Sequence, residues 1–65
     1  MCESTAYIVK RDGTEEVFME SVDYIKPDGG AVLLRSIFGE EKTIDARIAE
    51  MNLTKHRILL APSGE

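Results

Sequence analysis

Cys2 is the only cysteine of the chain, and it directly follows Met1. A small side chain after the initiator methionine favours removal of Met1, which would leave a free N-terminal cysteine. Its α-amine and thiol sit on neighbouring carbons and can close a five-membered chelate ring on a metal. Unperturbed pKa values of roughly 7.7–8.0 for an α-amine and ~8.5 for a thiol let a metal displace both protons near neutral pH. A thiolate beside a nitrogen donor suits nickel(II) or copper in a square-planar site, or zinc in a tetrahedral one. With Met1 retained, its amine, the Cys2 amide nitrogen and the Cys2 thiolate still form fused five-membered rings. The bland alternative is that Cys2 is a small apolar residue with no chemical task.

His56 is the only histidine and the natural second ligand. It is expected to open the last strand and to share a face with Ile58 and Leu60, where a packing role competes with ligation. Glu3, beside Cys2, is a further oxygen donor whose part stays open. One Cys and one His, without CxxC or HxxxH spacing, do not make a zinc-finger cage. Catalysis has little support. A Cys–His pair needs an orienting group, a pocket and an oxyanion hole, which so small a domain rarely encloses. Glu15-Glu16 and Glu40-Glu41 fall in or beside turns, where carboxylates are ordinarily solvated. Asp28-Gly29-Gly30 precedes a strand and lacks the helix that a phosphate loop feeds. A non-enzymatic role is therefore expected.

The chain has 65 residues and a formal net charge of −4. A chain this short forms one domain, residues 1–65, and buries only ~60% of the surface its unfolded form exposes. A second copy would supply both more core and more ligands, so a symmetric homodimer is expected. The acidic balance disfavours nucleic acid, whose phosphates demand cations. The first residues lack the basic-then-apolar pattern of a secretory signal, and no segment approaches the ~20 apolar residues of a membrane helix. A cytoplasmic location is the expectation, and one unpaired thiol suits a reducing compartment.

The elements that must position these groups read as short strands. Ala6–Lys10 and Glu15–Glu20 flank Asp12-Gly13, a strong hairpin signal. In the second run Val17 and Met19 are expected on one face, with Glu16, Phe18 and Glu20 on the other. Val22–Lys26 is a third run, closed by the turn residues Pro27-Asp28-Gly29-Gly30. Ala31–Phe38 is the longest apolar stretch and reads as a central strand buried on both faces. Leu33, Ile37 and Phe38 within it form either core or an outward patch suited to a dimer seam. Gly39-Glu40-Glu41 turns into Lys42–Ala46. Arg47–Leu53 is ambiguous between helix and strand, and His56–Ala61 closes the fold before a polar tail, Pro62–Glu65, that is expected to fray. The expected fold is all-β, a small barrel or sandwich of six or seven short antiparallel strands.

Met1-Cys2-Glu3-Ser4-Thr5-Ala6-Tyr7, the Asp-Gly turn and Glu15-Glu16-Val17-Phe18-Met19-Glu20-Ser21-Val22 together resemble the CooT family. The similarity continues through Val32-Leu33-Leu34, Phe38-Gly39-Glu40 and His56-Arg57-Ile58-Leu59-Leu60. CooT proteins are small nickel-binding accessory proteins linked to maturation of carbon monoxide dehydrogenase. The resemblance implies an all-β cytoplasmic homodimer that binds nickel(II) through Cys2 and serves a nickel enzyme such as carbon monoxide dehydrogenase. It also carries a family label of RNA binding, which the charge disfavours. A metal-free β-barrel adaptor for RNA or a peptide is the alternative.

Overall fold

The computed structural model describes residues 3–63, which contain six strands and no helix. The strands are β1 (Ser4–Val9), β2 (Glu15–Asp28), β3 (Ala31–Ser36), β4 (Glu41–Ile44), β5 (Ala46–Asn52) and β6 (Arg57–Pro62). They form one sheet in the order β4-β3-β2-β1-β6-β5. Met1, Cys2, Gly64 and Glu65 lie outside the described residues.

The all-β expectation holds, with two changes of topology. Glu15–Glu20 and Val22–Lys26 are not separate strands but one strand, β2, which bends at Ser21 with φ of 58°. Its first part pairs with β1 and its second with β3. Likewise β4 runs into β5 through Asp45 alone, and the chain changes partner from β3 to β6 without reversing. The Ser63 N–H donates to the Asp45 carbonyl at 2.9 Å and pins that corner, so Pro62 and Ser63 belong to the fold rather than to a frayed tail. The sheet curls until β3 meets β5. Its edge strands, β4 and β5, are thus joined by the chain itself rather than by a ladder of hydrogen bonds.

This corner also explains why the strands are not all antiparallel. True reversals occur between β1 and β2, β2 and β3, β3 and β4, and β5 and β6, an even number. Hence β6 returns in the direction of β1, and the two pair in parallel, with Thr5 opposite Arg57 and Leu60 opposite Ile8.

The core lies on the inner face of the curl. Ala6, Met19, Val22, Val32, Leu34, Ala46, Ile58 and Leu60 are buried there, with Phe18, Ile25, Ile44 and Ile48 packed around them. Alternation on β3 and β6 is strict, so Val32, Leu34, Ile58 and Leu60 point inward while Leu33 and Leu59 are half-buried outside. Thus β3 is buried on one face, not two, and it is second from the edge rather than central. Arg47–Asn52 resolves as strand, because Ile48 and Met51 pair with Leu60 and Ile58, and Leu53 opens the β5–β6 turn.

An irregularity in the β1–β2 ladder overturns the face expected to be shared by Val17 and Met19. Ala6 pairs with Met19 but Tyr7 pairs with Val17, which leaves Phe18 as the extra residue of a β-bulge. Met19 is therefore buried whereas Val17 is 52% exposed. A second irregularity between Val22 and Tyr24 turns Val22 inward and leaves Tyr24 largely outside.

The β1–β2 turn is built by Asp12 and Gly13. Gly13 has φ of 91°, a conformation that L side chains strain to adopt. Thr14 donates to the Asp12 carboxylate from its hydroxyl at 2.7 Å and from its backbone N–H at 3.0 Å. The side-chain bond first, and then the backbone bond, hold the Asp12 carboxyl below its usual range. The stabilisation from this carboxylate is present above its unfolded pKa and fades as pH falls through the lower folded value. An NMR titration is expected to place Asp12 below the same residue in an isolated Arg-Asp-Gly-Thr peptide. The Thr14→Val variant should move it back up.

Candidate metal centre

Three pairings define the end of the sheet at which the described chain begins. Ser4 lies opposite Val22, and Val22 lies opposite Ser36 on its other side. Parallel pairing then sets Thr5 against Arg57. The chain start, the bend of β2, the β3–β4 turn and the β5–β6 turn accordingly gather at one end.

His56 is in the β5–β6 turn, not in the last strand. Its φ is 56°, so it breaks the alternation that would have aligned it with Ile58 and Leu60. It is exposed, and its carbonyl accepts the Thr5 N–H at 3.0 Å. Asn52 shapes the same turn by accepting the Lys55 N–H on its side chain at 3.0 Å. Of the two structural roles open to His56, a rim position or a packing one, its exposure fits the rim, and its backbone is fixed beside the start of β1. Cys2 lies outside the described residues, two positions before the first residue of β1. Glu3 is exposed. Among the described residues, no group of three His, Cys, Asp or Glu side chains could hold one metal ion.

Next to the chain start is a shallow groove of about 160 Å³. Ser4, Tyr24, Ile25, Met51, Leu53 and Ile58 line it. Tyr24 is 40%, Met51 43% and Leu53 71% exposed. One wall is the second half of β2, whose residues after Val22 pair with β3 only. Sequence patterning missed this groove because Met51 and Leu53 read there as one side of an ambiguous segment. Only the pairing of β5 with β6 carries them to the chain start.

A larger cleft of about 530 Å³ opens at the opposite end, lined by Ile8, Lys10, Arg11, Asp12, Glu16 and Pro62. Lys10 and Glu16 neutralise each other across it at 3.0 Å. It lies beside the β1–β2 turn, at the other end of β1 from His56. On the outer face, Arg57 stacks 4.8 Å over the Tyr7 ring and pairs with Glu15, which braces β6 against the first hairpin. None of the described residues forms a helix, so no helix is long and apolar enough to cross a membrane.

The family model described as CO dehydrogenase accessory protein CooT matches residues 1–61. A crystal structure of a protein provisionally assigned as CooT, from Carboxydothermus hydrogenoformans, superposes with a TM-score of 0.87. It is 45% identical in sequence, and the match covers 95% of this chain and 98% of that one. No curated protein matches the sequence. The chain belongs to the CooT family of CO dehydrogenase accessory proteins.

Proposed function

We propose that the chain is a cytoplasmic, non-enzymatic nickel(II)-binding protein that holds nickel through Cys2 for delivery to a nickel enzyme such as carbon monoxide dehydrogenase. The observation that carries this reading is the cysteine at position 2 within a family match spanning residues 1–61. The donor set fits the ion. A thiolate with an adjacent amine or amide nitrogen is a strong-field pair of the kind that square-planar nickel(II) favours. His56, the chain's one histidine, is held beside the start of β1 by the Thr5 bond and is the candidate imidazole. Nickel here is cargo, so a site that is open and shared suits its task better than a closed cage.

Two chains complete the arithmetic. The described residues of one chain offer no three-ligand set, whereas two copies of Cys2 and its nitrogens supply four donors. The groove beside Ser4 supports a seam at that end. Exposed Tyr24, Met51 and Leu53 would be covered by a second copy, and a two-fold axis through the groove would bring two chain starts together. The acidic net charge weighs against the RNA-binding alternative.

Native mass spectrometry of the untagged protein tests this directly. The expected species with nickel is two chains and one ion, and the same spectra report whether Met1 is retained. The Leu53→Asp variant is expected to run as a monomer with nickel affinity at least ten-fold weaker. A wild-type chain that takes up no nickel would sink the reading. One that stays monomeric while binding nickel tightly would sink the shared site.

A further inference from the structure

The β3–β4 turn presents an aromatic side chain that the fold does not use. Phe38 is 82% exposed, the largest value among the exposed apolar side chains of the described residues, and Ile37 beside it is 36% exposed. This is not a loose loop tip. The Ser36 N–H donates to the Glu40 carbonyl at 2.9 Å, and the Gly39 N–H to the Ser36 carbonyl at 3.0 Å. The Phe38 N–H donates to the Ser36 hydroxyl at 3.2 Å, and Ser36 itself is buried. Across the bend of β2, the Ile37 N–H donates to the Ser21 carbonyl at 2.8 Å. Gly39 supplies the φ of 88° that the turn needs. Nearby, Lys42 donates to the Phe18 carbonyl at 3.3 Å and sits 5.2 Å above the Phe18 ring. An aromatic group on so constrained a turn loses little further freedom when it is buried in a partner.

The surrounding charge selects the occupant. Glu40 follows the turn directly, and Glu20 precedes Ser21, to which the turn is bonded. Among the described residues neither carboxylate has an ion-pair partner, whereas Glu41 is shared with Arg35 at 3.8 Å. A two-fold seam would set this patch against itself and oppose like charges. Nucleic acid and anionic lipid would be repelled in the same way. The turn also lies across β2 from the groove beside Ser4, since Ser4 and Ser36 flank Val22 on opposite sides.

We infer that the Ile37–Phe38 turn is a docking knob for a client protein that offers an apolar pocket rimmed by basic side chains. The inference rests on the accessory role proposed above and adds the surface through which it is exercised. Phe38 fills the pocket. Glu20 and Glu40 meet the basic rim, and the chain start, about two strand spacings or ~10 Å away across the sheet, is left free to face the client with its metal.

The test measures binding of the full-length protein to a purified, nickel-free CO dehydrogenase, by biolayer interferometry at several salt concentrations. Phe38→Ser is expected to weaken binding by about ten-fold or more, as removal of a central aromatic anchor does. Glu40→Lys should weaken it several-fold and flatten its salt dependence, while Cys2→Ser should leave docking unchanged. Because Phe38 is exposed, the Phe38→Ser variant should keep the wild-type melting temperature. Binding that persists undiminished in Phe38→Ser overturns the docking surface and leaves the client reading intact. If the wild-type chain fails to bind, the docking inference falls, while nickel uptake by the wild-type chain still decides the nickel reading on its own. A change in the sedimentation of Phe38→Ser would assign the turn to a seam between copies and overturn the inference too.

Discussion

Nickel added to the Cys2→Ser variant is expected to produce no thiolate-to-nickel charge-transfer band, and its affinity should fall by two orders of magnitude or more. The hydroxyl of serine stays protonated near neutral pH and is a hard, weak ligand, so the variant keeps the nitrogen donors but loses the soft one. The wild-type protein should develop the band to saturation at one ion per two chains. Binding should strengthen as pH rises through the range where the amine and thiol shed their protons, because the metal competes with both. The fold should be unaffected, since β1 begins only at Ser4 and the core residues all follow it. A Cys2→Ser protein that binds nickel as tightly as wild type would remove Cys2 from the site. One that loses much of its metal-free thermal stability would mean that Cys2 is a packing residue. His56→Ala separates the remaining possibilities: as a ligand it should lower affinity measurably while leaving the charge-transfer band in place.

The strand content was legible because each apolar run is bounded by turn chemistry that acts locally. Asp12-Gly13, Asp28-Gly29 and Gly39 each sit at a real reversal. The continuity of strands was not legible. Ser21 adopts a left-handed conformation without being glycine, and Asp45 bends the chain with no turn motif around it. Both are held by distant partners: the Ser21 carbonyl by Ile37, and the Asp45 carbonyl by Ser63. A local reading therefore divided β2 at the wrong kind of corner and missed that β4 and β5 do not reverse, which fixes the parallel β1–β6 pair. The bulge at Phe18 likewise moved Val17 to the surface. At the candidate site, the metal-binding potential of Cys2 could be read from its position alone. The neighbourhood of that end could not, because His56, Met51 and Leu53 reach it only through long-range pairing.

Leu34→Ala and Leu60→Ala are each expected to destabilise the protein by about 2–5 kcal/mol, enough to leave much of it unfolded at ordinary temperature. Both side chains are 0% exposed, so truncation forfeits burial and leaves a cavity that the surrounding strands can only partly close. The margin is small. Native domains hold roughly 0.05–0.15 kcal/mol per residue, which for a chain of this length is about 3–10 kcal/mol in total. Urea denaturation of the metal-free protein at fixed chain concentration would show the midpoint collapse, with the folded baseline lost in the more severe variant. Two substitutions supply the contrast. Leu33→Ala lies on the outer face of the same strand as Leu34, where it is half-buried, and should cost distinctly less. Leu53→Ala, 71% exposed, should change the unfolding of a monomer by about 0.5 kcal/mol or less. If Leu53 lies in a seam between copies, its effect will instead grow with protein concentration, since dissociation is then linked to unfolding. Equal costs at Leu33 and Leu34 would mean that both faces of β3 are buried, and the one-sided core described above would be wrong.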